Sequence, residues 1–427
     1  MLRLLVVGYL FLAALYATAI PPGKGPDETA HLRYVSYLAQ HHRLPVFQRE
    51  NPGSDYEFHQ PPLYYLICLP TYLLTSSSPE AAAQAVRFVT ILLGLPLLYL
   101  TFALGRTLAP ERPAAAVAAA AVVAFLPMHL ALVSSANNDV LTEVFFAAAL
   151  VLMVRHLRAG SAYRQQQAPP PPLFTMALAG IMTGLGLLTK SLAVLLLPMI
   201  WATAVLAARG PQGYEWRRLA RDLAVSTGLA LALAGWWLWR NQVLYGDPLA
   251  QKVFLSAFRD RPSPQEFMQR TGLQTPSYVV LVITWTLASG LGMFGPVYGN
   301  RFVFFPYWVY LVFGAKALSE AGGFVRHLRR TPQADWQRQS WWLSALLVGL
   351  LLVSFIRFNF SFFQAQARYL FPGLPAAALA LCLGLGELAP ARREEALLVG
   401  LFLLLLLAVA GLFIWIIPQF QLAPPVP

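Results

Sequence analysis

The chain has 427 residues, 57% of them hydrophobic and only 12% charged, with a formal charge of +12. That balance excludes a soluble enzyme and points to a polytopic α-helical membrane protein, because apolar runs near the roughly 20 residues needed to span a bilayer recur throughout. The positive charge does not read as a nucleic-acid surface: Arg106/Arg112, Arg155/Arg158/Arg164, Arg209/Arg217/Arg218/Arg221, Lys316/Arg326/Arg329/Arg330/Arg338 and Arg392/Arg393 follow alternate apolar segments, the positive-inside pattern that sets topology.

With those loops cytoplasmic and the N-terminus inside, eleven crossings are expected, at about 2–20, 84–105, 113–134, 140–157, 173–189, 191–208, 223–240, 304–318, 341–357, 367–386 and 397–417. Segments 61–77 and 278–294 are apolar but break the alternation. They are expected as periplasmic surface or re-entrant helices, and the count is twelve or thirteen if they cross. The first span resembles a secretory signal in its Arg3 start and Ala17-Thr18-Ala19 end; a retained anchor is expected, because the acidic loop after it needs a neighbouring helix. The expected fold is an all-α bundle, divided into a module over 1–240 with loop 21–60 and a second over 241–427 with loop 241–303. Cys68 and Cys382 lie in apolar stretches and read as small buried hydrophobes.

Only 19 acids occur in the chain, and five of them lie between Asp27 and Glu57. Charge this scarce beside a membrane reads as chemistry before solvation. Asp27 and Glu28 leave the first span and are candidates for a general base, a metal ligand or a helix cap. Glu57-Phe58-His59-Gln60 precedes Pro61-Pro62, which start a helix with fixed φ. Glu57 and His59 can ligate a divalent metal or sugar hydroxyls, although no third ligand with recognisable spacing completes a metal site. Further on, Asn137-Asn138-Asp139 forms an outer turn in which Asp139 is either a cap or a second catalytic acid. Glu143, one turn further, must face the bundle.

Lys190 interrupts a long apolar stretch and reads either as a snorkelling anchor or as a cation for phosphate. Trp236, Trp237 and Trp239 read mainly as interface belt residues. Arg240 beside them lies on the outer side, where topology does not require arginine. Lys252, Arg259, Arg261, Arg270, Arg301, Arg357 and Arg368 add to that outer cationic population, for which a lipid-linked phosphate or pyrophosphate is the natural ligand. Lys190, Arg368 and Arg240 are expected to converge on one phosphate. The long 241–303 loop is expected to behave as a donor-ordered lid. No internal repeat of the kind that marks many transporters is visible.

The acidic pair, His59-Gln60-Pro61-Pro62-Leu63-Tyr64-Tyr65, the Asn-Asp turn, Gly186-Leu187-Leu188-Thr189-Lys190, Trp239-Arg240-Asn241 leading to Tyr245-Gly246-Asp247-Pro248, and Gln366-Ala367-Arg368-Tyr369-Leu370-Phe371-Pro372 stand in a shared order. In that order they resemble the GT-C membrane glycosyltransferases, specifically the protein O-mannosyltransferases and lipid A aminoarabinose transferases, over residues 1–390. The resemblance implies inverting sugar transfer from a polyprenyl-phosphate donor to a hydroxyl acceptor on the outer face of a bacterial inner membrane. Its first-loop acid falls on Asp27 or Glu28 and its second on Asp139. Relatives often carry Glu-Lys or a plain His before the Pro-Pro. Here His59-Gln60 stands there, leaving donor phosphate to Lys190 or Arg368, with Arg240. His31, Glu57, His59, Gln60, Asn138 and Tyr369 are the substrate-binding candidates. The soluble C-terminal domain of some relatives is not expected. No cofactor is required beyond an optional divalent metal, and nucleic acid is not a partner. A pyrophosphate-donor glycan ligase and a polyprenyl-lipid flippase are the competing readings.

Overall fold

A computed structural model describes residues 1–48, 53–257, 261–298 and 301–421. Helix α1 (Leu2–Ala19) enters the bundle, and α2 (Glu28–His41) and α3 (Leu63–Thr75) follow the first loop. Then come α4 (Pro79–Leu108), α5 (Pro113–Phe125), α6 (Pro127–Val133) and α7 (Asp139–Arg164). Helices α8 (Leu173–Leu187), α9 (Leu196–Ala207) and α10 (Trp216–Tyr245) complete the first part, with a small hairpin of β1 (Arg209–Gly210) and β2 (Gly213–Tyr214) between α9 and α10.

The stretch expected as one long loop contains α11 (Gln251–Ala257), α12 (Pro264–Thr271), α13 (Thr275–Leu291) and an antiparallel hairpin of β3 (Met293–Tyr298) and β4 (Arg301–Phe304). Local signals explain its order: α12 carries a full Ser263/Glu266 capping box, and Pro276 sits in the first turn of α13. The chain ends through α14 (Tyr307–Arg330), α15 (Asp335–Ser361), α16 (Leu374–Leu388), α17 (Arg393–Ala410) and α18 (Ile417–Gln421), the last two joined by a π-helical segment, Gly411–Ile416.

By length and composition, seven helices among the described residues can cross a membrane, and eight if the pair α5 and α6 is one span. That pair corrects the expected single span 113–134: it bends by 63° at Leu126–Pro127, where proline removes a ladder hydrogen bond and disfavours helix in the preceding residue. Of the eleven expected crossings, α8 and the segment Ser191–Ala207 are short apolar helices, and α14, which carries Lys316 and Glu320, does not reach the hydropathy of the seven. The two apolar segments expected not to cross form α3 and α13, of 13 and 17 residues, shorter than the roughly 20 residues usual for a span.

The main core cluster draws on residues from Leu5 to Phe420. Tyr16 Oη on α1 donates to the Ala408 carbonyl on α17 (2.8 Å). Small residues let helices meet closely, as where Gly384 on α16 lies against the backbone of Glu320 on α14, with no room for a Cβ. Cys68 and Cys382 are buried and free, as expected. The end of the bundle opposite the basic loops collects the C-terminus of α1, the N-terminus of α7, the turn after α8 and the start of α16, and the site lies there.

Candidate active site

Residue Asp27 sits at the N-terminal boundary of α2 in a left-handed conformation (φ 55°), and its side chain makes no capping hydrogen bond. The cap alternative therefore fails, and the carboxylate turns inward. Its Oδ2 accepts from Arg368 Nη2 (2.5 Å) and its Oδ1 from the Tyr56 hydroxyl (2.9 Å). The Arg368 guanidinium reaches a second acid, with Nη1 3.3 Å from Asp139 Oδ2. The other Asp139 oxygen accepts from Lys190 Nζ. Two carboxylates and two cations thus form one neutral quartet. Tyr369 underlies it, its ring centroid 5.0 Å from the Arg368 guanidinium and 6.0 Å from Lys190 Nζ.

Three local devices free these groups. Asn137, one residue before the α7 N-cap, answers the helix's first amides, its Oδ1 accepting from Asp139 and Val140 (3.0 and 3.4 Å), so Asp139 need not cap. Lys190 stands just past α8, its own amide donating to Gly186 O (2.8 Å); bound to Asp139, it does not snorkel. Arg368 lies in a 3₁₀ segment, Ala367–Gly373, and its Nε donates to Gln366 Oε1 (2.8 Å). The expected meeting of Lys190 and Arg368 is observed, on a shared carboxylate. Side-chain exposure falls from 23% at Asp27 through 17% at Lys190 and 9% at Asp139 to 5% at Arg368, so the quartet opens on its Asp27 and Lys190 side.

Two expectations are corrected. Glu28 is a structural anchor: Arg87 Nε and Nη2 grip it at 2.6 and 2.7 Å, and the amides of Gly23, Gly25 and Ala136 also donate to it. With five donors on two fully buried oxygens, no lone pair is left for an acceptor hydroxyl. Close approach makes this possible, since a Cβ at Gly25 would collide with Ser135. Arg240 does not join the phosphate candidates. It donates to Pro45 O (2.6 Å) and lies 4.7 Å from the Trp237 ring. Its motif is a scaffold: Asn241 donates to Pro248 O, Phe47 N donates to Tyr245 Oη, and Asp247 accepts from Leu249 and Lys252 amides at the start of α11. Lys252, Arg261, Arg270, Arg301 and Arg357 are exposed; Arg259 lies outside the described residues.

The remaining candidates line the quartet. His31 Nδ1 is 2.8 Å from Tyr65 Oη. His59 Nδ1 donates to Tyr56 O (2.8 Å), and Asn138 Nδ2 donates to Gln60 Oε1 (3.2 Å) and Thr189 O (3.0 Å). Burial raises the Asp27 pKa, but the charge and hydrogen bond of Arg368 outweigh it and hold the carboxyl well below the usual range. Glu57 moves the other way: burial lifts it, and the charges of His31 and Lys190 only partly oppose this. Burial also depresses His31 and brings His59 to about 4. Glu57 and His59 stand as two potential metal ligands without a third, for among the described residues no three of His, Cys, Asp and Glu are grouped to hold an ion.

Sequence reasoning missed Arg87, Tyr56, Asn137 and Gln366. Arg87 had a legible signal, an outer-end arginine that topology does not require, the same argument that singled out Lys190 and Arg368. Glu143 does face inward, paired with His129 Nε2 (3.1 Å) on α6.

The model of the dolichyl-phosphate-mannose-protein mannosyltransferase family matches residues 70–251, a stretch that includes Asp139 and Lys190 but not Asp27 or Arg368. ArnT from Cupriavidus metallidurans, bound to undecaprenyl phosphate, superposes with a TM-score of 0.58 at 17% identity, covering 94% of this chain and 62% of its own. The chain has the GT-C fold. The Archaeoglobus fulgidus oligosaccharyltransferase AglB, in complex with an inhibitory peptide and a dolichol-phosphate, shares it with a TM-score of 0.56 at 16% identity, over 99% of this chain and 56% of AglB. An Archaeoglobus fulgidus oligosaccharyltransferase tethered to an acceptor peptide gives 0.55 at 16% identity, again over 99% and 56%. The chain therefore spans little more than half the length of these GT-C structures. No curated protein matches it.

Proposed function

We propose that this protein is an inverting glycosyltransferase that moves a sugar from a polyprenyl-phosphate donor to a hydroxyl acceptor at the outer face of a bacterial inner membrane. The observation that carries the reading is the quartet: Arg368 and Lys190, both outside the positive-inside pattern, are gathered with Asp27 and Asp139 at the opposite end of the bundle from the basic loops. The matched mannosyltransferase family and the lipid phosphates bound by ArnT and AglB support a donor of this class.

Arg368 and Lys190 bind the donor phosphate, the arginine with a fork that fits two phosphate oxygens. Asp27 is a weak base while Arg368 holds it. Phosphate draws the guanidinium away, and the carboxylate regains basicity as the donor arrives. The acceptor oxygen then attacks the anomeric carbon, the bond from that carbon to the phosphate oxygen breaks, and Asp27 takes the acceptor proton. The lipid phosphate leaves with its charge met by the two cations. Asp139 holds both cations in register before and after. A flippase would need none of this acid–cation pairing at one end.

Reconstituted protein supplied with a lipid-linked sugar and a soluble acceptor should release free polyprenyl phosphate in step with glycosylated acceptor. Movement of lipid across the bilayer without such release would place the protein among transporters. Release of pyrophosphate-linked lipid alone would favour the ligase reading.

A further inference from the structure

Among the described residues, every carboxylate oxygen of Asp27, Glu28 and Asp139 has a hydrogen-bond donor, whereas Oε2 of Glu57 has none, although the residue is 4% exposed. A second buried acceptor beside it is also unpaired, Oδ1 of Asn138, at 1% exposure. The Asn138 amide cannot be turned to cure this. Its nitrogen already donates to two oxygens, those of Gln60 and Thr189, and rotation would set oxygen against oxygen. Gln60 joins the two groups: its side chain accepts from Asn138, and its backbone amide donates to the Glu57 carbonyl (2.9 Å). Buried polar atoms are rarely left without partners, and two acceptors flanking one amide ask for a ligand that brings hydrogens.

Their position says which ligand. Thr189, which accepts from Asn138, is bonded to Lys190; Asn138 is bonded to Asp139; and Glu57 lies in the field of Lys190, Asp27 and His31. The acceptors thus border the cations assigned above to the donor phosphate. A sugar 1-phosphate has this layout, an anion that wants cations attached to a ring whose hydroxyls can donate.

We infer that Glu57, Gln60 and Asn138 form the sugar subsite of the donor, in which Glu57 Oε2 and Asn138 Oδ1 accept hydrogen bonds from two hydroxyls of the transferred ring. This rests on the reading of Lys190 and Arg368 as the phosphate site. The substrate class is a polyhydroxylated sugar, and affinity depends on the ring as well as on the lipid phosphate.

The test is equilibrium binding in nanodiscs of sugar-free C55-polyprenyl phosphate against the same lipid carrying glucose, mannose or galactose. Wild type should bind at least one sugar-bearing lipid more tightly than the sugar-free one. Glu57→Leu should lose about tenfold or more of that extra affinity, in line with a hydrogen bond to a charged group, while holding sugar-free lipid as wild type does. Glu57→Gln, which keeps an acceptor oxygen, should lose less. Equal loss for both lipids in Glu57→Leu, or no loss for either, overturns the inference, as does a wild type blind to the sugar. Failure of wild type to bind even sugar-free lipid would instead overturn the phosphate reading on which it rests.

Discussion

The two ends of the bundle differ in how much of their charge is solvated. At the basic end, pairs such as Arg338–Asp335 and Arg392–Glu395 have both partners at least half exposed. Buried charge is not absent there: Glu387 meets Arg112 and Arg393 side chains that are 22% and 38% exposed, and His156 lies against Asp222 at 0% and 1%. At the other end, Arg87–Glu28 is fully buried and Arg368 is 5% exposed between two acids. Solvated charge can decide which way the chain inserts at little cost, because water screens it. Buried charge must be answered atom by atom, so its geometry is specified, and specified geometry is what chemistry requires.

The largest expected effect lies at the most buried pair. Arg87→Ala leaves Glu28 with its three backbone amides but no cation in the interior, and breaking a buried pair in this way costs about 3–5 kcal/mol. Thermal unfolding in detergent should show a large drop or no folded protein at all. A wild-type melting profile would mean that the two ends do not differ as described.

Next is the contrast between neighbours. Asp27→Asn should lower turnover by about 10²–10⁴-fold, the usual worth of a positioned base, while the protein, with Arg368 still paired to Asp139, stays folded at some loss of stability. Retained turnover would remove Asp27 from the chemistry. Arg368→Lys probes the cations: an ammonium cannot hold two phosphate oxygens as the guanidinium does, so affinity for polyprenyl phosphate should fall about tenfold, the equivalent of one charge-assisted bond. Unchanged affinity would reduce Arg368 to a strut between carboxylates.

A smaller, pH-dependent difference should separate the site's two oppositely shifted acids. Asp27 is held below its ordinary value, so its contribution to stability is present above the unfolded carboxyl pKa and fades as pH falls through the depressed folded value. Glu57 is raised; its contribution is complete below the unfolded pKa and is lost as pH rises through the folded one. In melting curves across pH, Asp27→Asn should flatten the acid side and Glu57→Gln the side above the ordinary carboxylate range. The smallest effect belongs to the basic end, where Arg338→Ala should shift stability by no more than about 1 kcal/mol. A larger change would show that this surface is not the solvated layer its exposure suggests.

What the sequence determined by itself was whatever depends on local chemistry and one-dimensional pattern. Apolar runs specified the helices, the scarcity of acids drew attention to Asp27 and Asp139, and the two outer cations Lys190 and Arg368 stood out because topology had no use for them. Contacts across long separations decided the rest. Asp27 and Glu28 are adjacent and chemically alike, so no local rule divides them; Arg87, 59 positions from Glu28, and Arg368, 341 positions from Asp27, assign one to structure and the other to the site. Arg240 met the same outer-cation criterion as Lys190 and Arg368, yet a carbonyl at Pro45 claims it. A side chain's role in a low-dielectric interior follows from the partner that reaches it, and which partner arrives is a property of the packed helices rather than of the chain order.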